Sequence, residues 1–321
     1  MSRLLNTSWL LLLAATLAGS VVLSVFVGQF ATSYNAFVVL QGAATYAVIG
    51  FAAMVVLAVR DISLAVGGIG SLSGILFGWL VQEHSVPVLL AAAAALGCGA
   101  VAGLVNGLII TRTGLSGFIV TLATGAALAG LALGFTKSSA FAGIPGSWTA
   151  FGQGAVSFMP YIGLAAIAVA ALLFVLYRST AVGRSMLTTG GNPEAALLAG
   201  INNRQQVMYA HILSGVLAAI AALLFVGRIG SAPPDLGSDW ILVSFAVPII
   251  GGTALSGGRL SVGGALVAAL VLSVIDNALV LLNVSQYGVV FAQGLLILLA
   301  IFLGNIRKLG QTRQRARRAA V

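Results

Sequence analysis

The chain is a succession of long runs with almost no charge in them, at residues 9–27, 34–59, 62–81, 87–110, 118–134, 161–177, 207–226, 240–256, 260–282 and 287–303. Nothing else in it restricts the fold so tightly. A bilayer crossing takes roughly 20 mostly apolar residues, and in hydrocarbon only a helix or a closed barrel satisfies every backbone N–H and C=O. Runs of this length predict an all-α polytopic membrane protein with about 8–10 transmembrane helices. The eighth run is interrupted by Pro248 and Gly251-Gly252, which makes it either a re-entrant segment or a full crossing with a break; Gly67, Gly68 and Gly70 weaken the third. The first run is nearer a full span than the short apolar core of a cleaved signal peptide, and is read as a retained helix. Residues 1–306 then form one transmembrane domain, and 307–321 a basic tail.

Composition closes off the alternatives. A chain that is 60% hydrophobic and 7% charged is not a soluble globular domain. Its one cysteine, Cys98, leaves no disulfide framework and no metal cluster to build. The net charge of +9 would suit nucleic acid, but its distribution does not. With the N-terminus in the cytoplasm and ten alternating segments, Arg3, Arg60, Arg112, Arg178, Arg184, Arg204, Arg259 and the six tail cations from Arg307 to Arg318 all fall inside; of the 15 Lys and Arg only Lys137 and Arg228 fall outside. That asymmetry is the positive-inside rule. Both termini are therefore expected in the cytoplasm, with the tail "RKLGQTRQRARR" held near anionic membrane lipid and no nucleic acid bound.

This orientation makes residues 178–206 the longest cytoplasmic loop, and within it lies "GNPEAALLAGIN". Asn192 is a helix N-cap, Pro193 suits the first helical position, Glu194 complements the positive end of the dipole, and Gly200 can stop the helix in a left-handed conformation. So short a helix is not stable alone. Displayed between two spans, it awaits a partner, for which Ala195, Ala196 and Leu198 offer a modest apolar face.

Within the spans, Gly70, Gly74 and Gly78, and again Gly99, Gly103 and Gly107, recur at every fourth position, a smooth stripe that lets helix backbones approach closely. Asp61, Ser63, Asn106, Thr121, Thr124, Asp276 and Asn277 are the polar residues of these regions, and all of them but Thr124 are expected along a solute path. Asp276 is the acid deepest within a span; Asp61 adjoins Arg60 at a span boundary, where a local ion pair or a helix cap accounts for it. His211 receives no role. "GAVAGLVNGLIITRTGLSGFIV" echoes "GALVAALVLSVIDNALVLLNVSQYGVV", aligning Asn106 with Asn277 in segments that cross in opposite directions, as inverted transporter repeats do.

No G-x-x-x-x-G-K-[ST] phosphate loop occurs, and neither lysine follows a glycine, so the chain is expected to have no ATPase site, no cofactor and no metal of its own. No H-E-x-x-H or G-x-S-x-G is present to equip an enzyme. One deep acid without a cation cluster suits a neutral polar solute.

Five stretches in order, "DISLAVGGIGSLSG", "GLVNGLIITRTGLSGFIVTLATGAALAGLAL", "GRSMLTTGGNPEAALLAGIN", "GGTALSGGRLSVGGALVAAL" and "VSQYGVVFAQGLLILLAIF", make the chain resemble, through nearly its whole length, the permease subunit of bacterial ribose-type ATP-binding-cassette sugar importers. The resemblance implies an inner-membrane permease for a simple sugar. It implies a separate ATPase that uses ATP and Mg, a periplasmic sugar-binding protein, and a second permease, identical or not. It also implies that Glu194, Ala195, Ala196 and Gly200 belong to a helix docking in the ATPase. The chain departs from the pattern at Ala65, at Trp240-Ile241-Leu242-Val243 and at Asp276-Asn277. The alternative is an ion-coupled secondary transporter or channel for a small neutral solute, which Asp276 would favour.

Overall fold

The computed structural model describes residues 2–295 and 298, apart from 138 and 286; the basic tail and the end of the tenth apolar run lie outside the described residues. The described chain is almost entirely helical: α1 Ser2–Phe26, α2 Ser33–Ala58, α3 Val66–Gln82, α4 Val88–Thr113, α5 Gly117–Thr136, α6 Gly146–Gln153, α7 Tyr161–Ser179, α8 Ala181–Gly191, α9 Pro193–Leu198, α10 Asn203–Ile229, α11 Trp240–Ile250 and α12 Val262–Leu281. Residues 287–295 are also helical. A two-residue hairpin, β1 Ala155–Val156 with β2 Met159–Pro160, joins α6 to α7. Six helices, α2, α4, α5, α7, α10 and α12, are long and apolar enough to cross a membrane, and Leu12–Phe26, α3 and α11 are shorter apolar helices. The protein is an all-α polytopic membrane protein.

α2 is the axis. Phe51, Met54 and Val55 are fully buried, and α7, α10, α11 and α12 pack around it. The outer helices instead turn large apolar side chains outward, among them Val101 of α4, Leu131 of α5 and Leu172 of α7, as helices in contact with lipid do. Both glycine stripes are packing surfaces. On α4, a Cβ at Gly99 or Gly103 would run into the carbonyls of Gly215 or His211 on α10, so the two backbones touch. On α3, Gly70 lies under the ring of Trp240 and Gly78 against Ala232 and Phe141.

Two crossings are broken, in opposite halves of the membrane. The third apolar run becomes a helix only at Val66; residues 61–65 have no regular structure. α2 ends through Arg60 at φ 64°, and this non-helical run leads from there to α3. In the eighth run the helix is α11 alone, and 231–239 before it is irregular. That irregular stretch descends along α3 from Ala232 beside Gly78 to Gly237 beside Gly67, and α11 starts there. Eleven helical residues span about 16 Å, too little to cross alone. The chain nevertheless does not turn back: beyond α11, Gly258 donates its N–H to the carbonyl of Ala58 (3.0 Å) at the far end of α2. The eighth run is thus a broken crossing, not a re-entrant one. Pro248 lies within α11, where its missing N–H leaves the Ser244 carbonyl without its usual helical partner, and the helix ends at Ile250.

Candidate functional site

At the end of the molecule where α2 stops, the connection between α7 and α10 is two helices rather than a loop with one. Thr180 caps α8 by accepting from the N–H of Gly183 (3.1 Å). Asn192 caps α9, its Oδ1 accepting from the N–H groups of Glu194 and Ala195 at 3.1 and 3.0 Å. Gly200, at φ 77°, closes α9 as the N–H of Ile201 reaches back to the carbonyl of Ala196 (2.9 Å). The unit is fastened to the spans. Asn203, at the head of α10, donates to the carbonyl of Pro193 (2.8 Å) and accepts from Thr189 (2.9 Å). Gly190 is wedged against the carbonyl of Ala58, and Gly191 against Gly258. A displacement of α9 is therefore felt by α2, α10 and the segment after α11.

The apolar face expected of α9 needs correction. Ala196 is fully buried against the chain itself, whereas Leu198 is 92% exposed and Leu197 61%. The free surface consists of Leu197, Leu198 and Ala195, with Glu194 and Pro193 at its edge. The short spacing hid this, because a six-residue helix gives too little periodicity to say which side faces home.

The polar residues expected along the solute path fall in three places. Asp61, Ser63 and Thr121 come together at the non-helical run 61–65. Asp61 does not pair with Arg60; its Oδ2 lies 2.9 Å from His211 Nε2 on α10, and its Oδ1 accepts from the N–H of Ile62 (2.8 Å). Thr121 of α5 accepts from the N–H of Leu64 (2.9 Å) and donates to the carbonyl of Gly117 (2.6 Å). A side chain thus replaces the helical partner that the unwound backbone lacks, as hydrocarbon requires. Gly117 is needed beside it, since a Cβ there would overlap the Asp61 carboxylate. Just beyond, α3, α5 and the 234–238 segment enclose a cavity of about 260 Å³ lined by Gly67, Gly68, Ser71, Leu122, Gly237 and Ser238.

Asp276 and Asn277 sit elsewhere, on a second cavity of about 250 Å³ among α2, α10, α12 and residues 287–295. Tyr46 donates its hydroxyl to Asp276 Oδ2, and the Gln293 amide lies 3.0 and 2.9 Å from the two carboxylate oxygens. Asn277 donates to Asn35 (2.8 Å), and Arg228 and Asp239 line the same space. Asn106 is in neither place: it is buried on α4, facing α3 and α5. The echo that aligns Asn106 with Asn277 relates antiparallel helices, α4 and α12, without bringing the two amides together.

His211, Tyr46, Gln293 and Arg228 are the participants that sequence reading passed over. Their signal was present, since each is a polar group in or at the edge of an apolar run, where such groups are costly unless paired.

The sequence pattern of the family described as "Branched-chain amino acid transport system / permease component" matches residues 3–301. The chain is 33% identical to the ribose import permease protein RbsC of Bacillus subtilis over 287 residues, 88% of each chain. It is 32% identical to the galactose/methyl galactoside import permease protein MglC of Escherichia coli over 70% of this chain and 69% of that one, and 33% identical to the fructose import permease protein FrcC of Rhizobium meliloti over 88% and 81%. No solved structure matches it. With its family pattern running nearly end to end over a helical body of broken and unbroken crossings, the chain belongs to the permease components of this transport family.

Proposed function

We propose that the protein is the membrane-spanning permease of an ATP-driven importer for a simple sugar, worked by a separate ATPase and supplied by an external sugar-binding protein. The relatives are import permeases named for ribose, galactose and fructose, which supports a monosaccharide as solute. The observation that carries the mechanism is α9: a capped helix with Leu197 and Leu198 bare, clamped to α2, α10 and the end of α11's segment. A partner that binds Leu197 and Leu198 moves the clamp, and with it the balance between inward- and outward-open states. ATP and Mg act on that partner. The solute passes beside the two broken crossings, where Asp61 and Thr121 hold the non-helical run in shape and Ser63 lies within it.

An ion-coupled transporter is the competing reading, and Asp276 is its one support. Both carboxylate oxygens of Asp276 already accept from Tyr46 or Gln293. That leaves the carboxylate a hydrogen-bonding hub and argues for the importer. Uptake into vesicles decides. It should require the partner ATPase and ATP, and persist when the proton gradient is collapsed; uptake that follows an ion gradient without ATP refutes the proposal.

A further inference from the structure

An apolar groove of about 480 Å³ runs between α3, α4 and α5. Leu72 and Leu76, Gly97, Val101 and Val105, and Leu128 line it. Val101 is 60% exposed and Val105 44%, so the groove opens sideways, where the surroundings are lipid. From Ala94 to Asn106 it follows about 18 Å of helix. At one end it meets Asn106, which is 1% exposed and whose amide nitrogen and oxygen both lack a partner among the described residues. An amide left unpaired at such a depth is costly unless something joins it.

The same stripe carries a charge beyond the groove. Cys98, Val105 and Arg112 are seven residues apart in turn, and so share one face of α4. Arg112 is exposed in the last turn, about 10 Å beyond Val105 along the axis. It has no ion-pair partner among the described residues. Apolar trough, unmet amide and free guanidinium therefore follow one another from the membrane interior to its surface. That is the order of acyl chain, ester and phosphate in a phospholipid.

We propose that this groove holds one anionic phospholipid of the leaflet that Arg112 faces, the cytoplasmic one in the orientation given above. The chain fills the trough, an ester carbonyl accepts from the Asn106 amide, and the phosphate pairs with Arg112. The charge selects an anionic head over a neutral one, and the open side lets the lipid enter from the bilayer.

Gly97 supplies a clean test. A Cβ built on it meets nothing within 4 Å, and Gly97 lines the groove, so Gly97→Leu adds its side chain where the trough is open. The purified full-length permease is exchanged into nanodiscs of phosphatidylglycerol or phosphatidylcholine, and lipid retained on release is counted by native mass spectrometry. The wild type should keep one phosphatidylglycerol and no phosphatidylcholine. Arg112→Gln should lower retention about fivefold, the worth of one cation near the surface. Gly97→Leu should abolish it while the helical content, read by circular dichroism, stays unchanged. Equal retention of both lipids, or retention of phosphatidylglycerol by Gly97→Leu, overturns the proposal. So does rapid disulfide formation between the Cys98 residues of two copies, which would put a second permease in the groove. None of these readouts depends on transport, so they stand or fall apart from the importer reading.

Discussion

Asp276 and Asp61 are both carboxylates in the membrane-spanning body, and their partners make opposite demands on substitution. Asp276 only accepts, from a phenol and an amide. Asp276→Asn keeps one acceptor, and rotation of the Gln293 amide restores the other contact. Uptake and membrane abundance should therefore stay near wild type, and a loss of uptake at normal abundance would show that the charge itself is used. Asp276→Leu strands Tyr46 and Gln293 and should lower stability by about 1–3 kcal/mol for each orphaned group, read as a fall in the unfolding temperature in detergent. Asp61 bridges instead. His211→Phe removes the group facing it and frees the non-helical run from α10, so protease should cut near 61–65 faster than in wild type. Asp276 was legible in the sequence as a costly intramembrane acid. Its partners were not, because Tyr46 and Gln293 lie 230 and 17 residues away and only packing brings them in. His211 was passed over for the same reason: its acid is 150 residues distant.

At the scale of elements, the capped helix α9 separates mounting from docking. Leu198→Glu places a charge on the free surface and should abolish ATPase association and uptake, with unfolding temperature unchanged. Ala196→Glu presses into a filled site, where overpacking alone costs about 1–3 kcal/mol and a buried unpaired carboxylate adds more. It should lower stability as well as activity. If pull-down shows Leu198→Glu still bound to the ATPase, α9 is not the docking element. The caps Asn192 and Gly200 were readable because side-chain and left-handed caps are local in sequence. α8 was not, since "AVGRSMLTTGG" has three glycines, poor intrinsic helix formers, and is helical through its packing on α7 and α10. Apolar runs likewise marked where chain crosses but not where helix stops: residues 62–65 belong to the third apolar run, yet the helix begins only at Val66.

For the whole molecule, the cations sort the two ends. Arg60, Gly190 and Gly257 meet at one end, while the Phe141–Ala232 bridge and the bond from Gln153 to the carbonyl of Arg228 lie at the other. A cysteine at the exposed Ser147 of α6 should label from outside the cell, and one at Leu198 only after permeabilisation. The reverse pattern would invert the orientation. Ser238 is a different kind of probe, because it is exposed and also lines the cavity beside Gly67.

Where the broken crossings meet, the apposed atoms of Gly67 and Gly237 are main chain. A contact made of backbone offers natural selection no side chain to exchange. Adaptation to a new sugar must then proceed through flanking positions such as Ser71, Leu122 and Ser238, which line the same cavity. Relatives that differ in solute should accordingly vary at these positions while keeping both glycines.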